Sequence, residues 1–167
     1  MTEGGVSPVP REARPFQGRT AGLVSRLIAN TVDAAVVVVA LAVGYLSLNA
    51  VLFLLHPRGF SFTTASPFLS LTLASVISVL YLAASWATTG RSYGDHVMGL
   101  RVVSGREMML RPLWAFTRAV LCVVLPVGLL WCAVSASNRS LQDILLRTKV
   151  VYDWQPGPLG TARRGKA

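Results

Sequence analysis

Charge is scarce in this chain of 167 residues: Asp, Glu, Lys and Arg make up 14% of it, against about 25% in a soluble domain. That shortage, with a mean hydropathy of +0.54, argues against an ordinary soluble domain. Acidic residues are the scarcest, seven against sixteen basic ones. The bases lie outside the long apolar runs and no aromatics interleave with them, which excludes nucleic acid as the expected partner. Cysteine is limited to Cys122 and Cys132. Both sit in an apolar run with no His or acid at ligand spacing, so neither a zinc site nor a disulfide framework is expected, and both read as small buried hydrophobes. A nucleophile, base and oxyanion constellation is also missing, so no enzyme, cofactor or metal is expected. Met1 to Thr20 is polar and carries Pro8, Pro10 and Pro15; it does not read as a cleavable signal, and the first apolar span is expected to act as its own insertion signal. No internal repeat is evident.

What the chain does have is long uncharged stretches. Ala34 to Leu55 is an uncharged run of 22 residues, where about 20 suffice to cross the hydrocarbon core. Apolar spacing around Arg26 extends this span to about 23–55. Pro67 to Thr89 forms a second run, opened by Ser66-Pro67 and closed by Gly90; the span is 67–89. His56-Pro57-Arg58-Gly59 between them is a turn-rich loop, so the two form an antiparallel hairpin. A third apolar region, 113–137, carries Arg118 near its start and Pro126 at its middle. Proline breaks or kinks a helix, so this region is either one kinked span or a re-entrant pair of half-helices turned around Pro126 and Gly128. The fold class is therefore an all-α membrane protein: a transmembrane helical hairpin plus a kinked or re-entrant third region.

Basic residues choose between these topologies. Four run through the N-terminal arm to Arg26, one lies in the first loop, five run through the second loop to Arg118, and six follow the third region. The positive-inside rule places the N-terminus, second loop and tail in the cytoplasm, which requires an even number of crossings or a re-entrant third region. Leu100–Val103 and Met108–Leu110 flank Ser104-Gly105 like two short strands, and Thr148–Tyr152 resembles a third, which together would form a small cytoplasmic β element. Residues 1–17 and the basic tail 154–167 are expected to be disordered, leaving 18–153 as the transmembrane domain.

On a helical wheel Arg26, Asn30, Asp33, Ala40, Gly44 and Ser47 share one small, polar face of the first span, which should turn inward against protein. Asp33 lies two turns beyond Arg26, where a charge costs about 2.5–3.5 kcal/mol. Such an acid is either an ion or proton site or a locked packing element. Arg118, and less directly Arg26, are its candidate partners by depth. If the tail returns to the cytoplasm, Asp143 also reaches the interface and can pair with Arg26.

These residues resemble the RDD family of small prokaryotic membrane proteins, named for one arginine and two aspartates. Arg26 and Asp33 look like the first two, and Asp143 in SLQDILLRTKVV (Ser140 to Val151) is similar to the aspartate of the family's S-x-x-D ending. TTGRSYGDHVMGLRVVSG (Thr88 to Gly105) is similar to the family's glycine-rich segment, with Gly90, Gly99, Leu100 and Arg101 in place. The usual lysine of that segment is replaced in the Tyr93-Gly94-Asp95 region, and Arg147 stands where a small residue is usual. The resemblance covers about residues 18–153 and implies a role in transport, sodium/proton antiport among the forms proposed for the family.

Two functions follow. One is a small-ligand or cation transporter or exchanger in which Asp33 alternately binds a proton and a cation. With few helices to enclose a path, it requires a homo-oligomer or a membrane partner, for which Ala40/Gly44 and Ser70/Ala74/Ser78 offer small faces. The other is a non-transporting adaptor or assembly subunit. There Arg26, Asp33 and Asp143 form a structural clamp, and the basic loops hold anionic lipid. Both place the chain in the plasma (inner) membrane. Gly90 to Gly99 reads as a tight interfacial loop rather than a phosphate loop, His56 and His96 as solvated, and Trp86, Tyr93, Trp114 and Trp154 as interfacial anchors.

Overall fold

Val-rich segments such as Val36–Val39 are poor helix formers in water, yet they lie inside one unbroken helix, α1, which runs Leu23–Leu55. Lipid offers no partner for backbone N–H and C=O groups, so an apolar run of this length closes its hydrogen bonds internally. At 33 residues α1 is about 50 Å long. It stops at His56, because the residue before Pro57 is pushed out of helical geometry. A 3₁₀ turn, Pro57–Gly59, follows. Asn49 stitches the loop beyond it: its Oδ1 accepts from Thr63 N at 2.9 Å and its Nδ2 donates to the Tyr45 carbonyl at 2.8 Å. The Tyr45 hydroxyl donates to the Thr63 carbonyl at 2.9 Å. Helix α2, Pro67–Thr88, then returns antiparallel, with Pro67 at its first position.

The computed structural model describes residues 18–104, 110–129, 131–135 and 140–154. The arm 1–17 and tail residues 155–167 lie outside them. Helices α1 and α2 are long and apolar enough to cross a membrane, and almost none of their apolar stretch is buried within the protein. Val38, Val39, Leu46, Leu54, Phe68 and Leu71 stand exposed. Apolar surface this continuous needs an apolar solvent, which separates these helices from the core helices of a soluble protein.

The core lies at the other end of the hairpin. Beyond α2 the chain forms a five-residue helix α3, Tyr93–Val97, and strand β1, Leu100–Ser104. Helix α4, Pro112–Val124, leads to a 3₁₀ turn, Pro126–Leu129, and to α5, Trp131–Val134. A second five-residue helix, α6, Leu141–Leu145, precedes β2, Thr148–Tyr152. Ala21, Ala29, Trp86, Leu100, Val102, Leu110, Ala115, Ala119 and Val150 bury one another there. Cys122 packs against this cluster and Cys132 is buried; both are free thiols.

Two readings of the sequence are corrected. Leu100–Ser104 pairs with Thr148–Tyr152, antiparallel, from Leu100↔Tyr152 to Ser104↔Thr148, rather than with the segment after Ser104-Gly105. Leu110 is a core residue outside any strand, while Met108 and Met109 lie outside the described residues. The other edge of β2 takes the N-terminal segment through the bridge Thr20↔Val151. Gly18 N donates to the Tyr152 carbonyl at 2.8 Å and Ala21 N to the Val150 carbonyl at 2.9 Å. Both described chain ends therefore meet on one side.

The third apolar region is discontinuous. Helix α4 has 13 residues, about 20 Å, too short for a hydrocarbon core of about 30 Å. It ends before Pro126, and Gln142 Nε2 donates to the Leu125 carbonyl at 2.7 Å. A Cβ at Gly128 would come within 2.7 Å of the same Gln142 amide, so glycine leaves room for this C-terminal cap.

An internal repeat also emerges. Ser92-x-x-Asp95 and Ser140-x-x-Asp143, 48 positions apart, each form a capping box. Each box opens a five-residue helix, passes through a left-handed residue, Gly99 (φ 62°) or Arg147 (φ 51°), and enters a strand containing Val-Val. The pairing of β1 with β2 relates the two copies by an approximate two-fold.

Two substitutions test this geometry. A Cβ at Gly94 would lie 2.0 Å from the Ala29 carbonyl oxygen, so Gly94→Ala should destabilise by about 3 kcal/mol in thermal unfolding of the detergent-solubilised protein. Arg147 is exposed and spends about 1–2 kcal/mol on its left-handed backbone. After glycine's own entropy cost, Arg147→Gly should raise the melting temperature, with a gain of about 0.5–1 kcal/mol.

Candidate functional site

The capping box of α6 aims Asp143 into the core, where it is fully buried. Its backbone N–H donates to Ser140 Oγ at 3.2 Å. Its carboxylate takes Arg26 Nη1 on Oδ2 and Arg118 Nη1, at 2.5 Å, on Oδ1. Thr148 Oγ1 accepts from the same Arg118 nitrogen and donates to Asp143 Oδ1 at 3.2 Å. Arg26 Nε donates to the Ala21 carbonyl at 3.2 Å, and the Arg118 guanidinium lies 5.1 Å from the centre of the Trp86 ring. Arg26 belongs to α1, Arg118 to α4 and Asp143 to α6, so one carboxylate ties three segments. Arg118 and Asp143 also bracket most of the third apolar region, and their contact shows that the chain folds back between them.

Burial alone would push the Asp143 carboxyl up; Arg118 and Arg26 outweigh it and hold the group well below the usual carboxylate range. Such a group adds stability that is fully present above its unfolded value of about 3.9 and is lost as pH falls through its lower folded value.

Asp33 is built differently. It is also buried, but neither Arg118 nor Arg26 pairs with it, which corrects the partner inferred from depth. Tyr81 Oη donates to Oδ1 at 2.8 Å, Gly94 N to Oδ1 at 2.8 Å and Ser92 Oγ to Oδ2 at 2.5 Å. Tyr81 Oη in turn accepts from Tyr93 N at 2.9 Å. Three neutral donors thus hold Asp33 against the start of α3, which the missing Cβ of Gly94 lets approach α1 closely.

Asp95 occupies the position in the first repeat that Asp143 holds in the second. Its Oδ2 accepts from Trp86 Nε1 at 2.9 Å and from Ser92 N at 3.2 Å. Trp86 is accordingly a buried donor rather than an interfacial anchor. With burial dominant and Asp33 nearby, the Asp95 carboxyl is pushed up, against the lowering effect of the Trp86 and Ser92 hydrogen bonds.

Of the remaining candidates, Asn30 is exposed one turn beyond Arg26 and forms no hydrogen bond among the described residues. Gly90 (φ 72°) turns the chain into the first capped segment, and its carbonyl accepts from Val102 N at 2.9 Å. The carbonyl of Gly99 accepts from Asp153 N at 2.8 Å, and a Cβ there would enter the Trp154 ring. Arg101 and Arg91 share Asp153 at 3.1 and 2.7 Å. Gly90 to Gly99 is thus a capped helical turn fastened to the sheet. His56 and His96 are exposed. No group of three His, Cys, Asp or Glu residues suited to a metal occurs among the described residues.

The chain matches the RDD family over residues 20–147. It belongs to the RDD family. No curated protein and no solved structure matches it. In this RDD chain the match ends at Arg147, just before Thr148, whose hydroxyl completes the Asp143 cluster. Sequence reasoning missed Thr148, Tyr81, Ser92, Asp95, Trp86 and Gln142. The doubled S-x-x-D pattern was the available signal for Ser92 and Asp95; neutral hydroxyl donors such as Tyr81 leave none.

The two aspartates of the repeat should respond oppositely. Asp143→Asn strands two buried guanidiniums and should cost about 3–5 kcal/mol. Asp95→Asn keeps an acceptor for Trp86 and removes a buried ionisation. A carboxyl with a raised folded value contributes stability that is lost as pH rises through that value, so Asp95→Asn should gain on the wild type from pH 4 to pH 8. Melting temperatures of the two variants across pH check both signs.

Proposed function

We propose that this RDD protein is a non-transporting membrane adaptor or assembly subunit, a multi-pass protein of the plasma (inner) membrane with both termini cytoplasmic. In this reading α1 and α2 cross the bilayer, and α4, the turn at Pro126 and α5 form a re-entrant element. The observation that carries it is the occupancy of the acids: Asp143 is shared by Arg26 and Arg118, and both Asp33 oxygens are taken by Tyr81, Ser92 and Gly94. Neither carboxylate stands open to a passing cation, and both fasten segments far apart in the chain.

The end of the molecule that gathers the β strands also presents Arg19, Arg111 and Arg147 exposed, with Lys149 half-buried. Each base near an anionic leaflet contributes about 1 kcal/mol of attraction, so this end faces the cytoplasmic lipid surface and a partner protein docked there. An exchanger working through Asp33 would have to break three hydrogen bonds from Tyr81, Ser92 and Gly94 in each cycle.

Proton flux in proteoliposomes under sodium, potassium or lithium gradients separates the two. The adaptor reading predicts flux no greater than in protein-free liposomes, for wild type and Asp33→Asn alike. Cation-driven flux that disappears in a folded Asp33→Asn variant would replace it with exchange.

A further inference from the structure

A cavity of about 360 Å³ opens between α1, α4 and α6 beside the Asp143 cluster, within the size range of small-ligand sites. Arg26, Asn30, Trp86, Asp95, Arg118 and Gln142 supply polar groups to its wall. Two of them are unsatisfied. Arg118 is about 4% exposed, and its Nε has no hydrogen-bond partner among the described residues; a buried guanidinium N–H without an acceptor is costly. The Asn30 amide, exposed on the cavity wall one turn beyond Arg26, also makes no hydrogen bond among the described residues.

Charge points the same way. Two guanidiniums reach the cavity, and Asp143 behind them neutralises one. Asp95 Oδ2 is taken by Trp86 Nε1 and Ser92 N, and Asp33, which does not line the cavity, is occupied by its own donors. The wall therefore carries two guanidiniums that share one carboxylate behind them, and two N–H donors without an acceptor among the described residues.

We propose that this cavity binds a single, singly charged oxyanion group between Asn30 and Arg118. The group is either the carboxylate of a small free acid or the phosphodiester of an anionic lipid head group. Leu27, Ala34 and Leu129 complete the wall with apolar surface, which suits an anion carried on a hydrocarbon stem. The site adds a ligand to the adaptor without requiring transport.

Two probes distinguish the sources. Sodium acetate is titrated against the full-length protein in neutral detergent, with sodium chloride at equal ionic strength as control, and binding is read from the melting temperature. Phosphatidylglycerol is compared with phosphatidylcholine by native mass spectrometry of the same preparation. Each is repeated with Asn30→Leu, which removes an exposed amide, and with Asn30→Asp, which is nearly isosteric and repels anions. At least one probe should bind the wild type about tenfold more tightly than Asn30→Leu, with binding abolished in Asn30→Asp. An effect of acetate alone identifies a free acid, and of phosphatidylglycerol alone a lipid head group. Absence of binding above both controls, or binding unchanged in whichever Asn30 variant folds, overturns the proposal.

Discussion

Two guanidiniums on one buried carboxylate hold this molecule in register. Taking Arg26, Arg118 and Asp143 out of water carries a desolvation penalty of several kcal/mol per ion, so the cluster is a poor source of net stability compared with well-packed apolar side chains. Its consequence is positional: the start of α1, the body of α4 and the first turn of α6 have one arrangement that leaves no buried charge alone. Slippage of α1 by one residue, or a straight passage of the third apolar region, would strand a charge among Ala115, Ala119 and Leu110. An apolar core solvated outside by lipid has weak directional preferences of its own, and the cluster supplies them.

The repeat shows how one local device yields two environments. Ser92–Asp95 and Ser140–Asp143 form the same capping box and feed strands that pair with each other. Trp86 faces the first aspartate and two arginines face the second. Burial pushes the Asp95 carboxyl up and the neutral Trp86 N–H does not offset it, whereas two positive charges hold Asp143 well below the usual carboxylate range. Asp33 adds a third arrangement, a buried acid satisfied by neutral donors, and so locks α3 onto α1. Arg118 connects the halves by touching both the Trp86 ring and Asp143.

The long spans were legible because uncharged length is itself the physical requirement. Leu23–Leu55 and Pro67–Thr88 fall where composition puts them. Charge placement also suggested that Asp143 could return to the level of Arg26. It could not choose between a kink and a reversal at Pro126, since proline permits both; Arg118 and Asp143, on either side of that proline, meet in one ion pair. Depth along the helix offers arginines as candidate partners for Asp33 and carries no signal for neutral hydroxyls such as Tyr81 and Ser92. The repeat escaped notice because its copies share little beyond Ser, Asp, one basic position and Val-Val. The pairing of β1 with β2 links residues separated by the whole of α4 to α6, which no local pattern encodes.

The strand that follows the third apolar region lies beside the segment that enters α1. The pair Thr20↔Val151 offers the most direct test. With Cys122 and Cys132 replaced by alanine, cysteines at positions 20 and 151 should form a disulfide rapidly and nearly completely under mild oxidation in native membranes, while cysteines at 20 and 60 should not. Failure of the first pair to cross-link in folded protein would contradict the account, because a continuous third crossing would leave those positions on opposite sides of the bilayer.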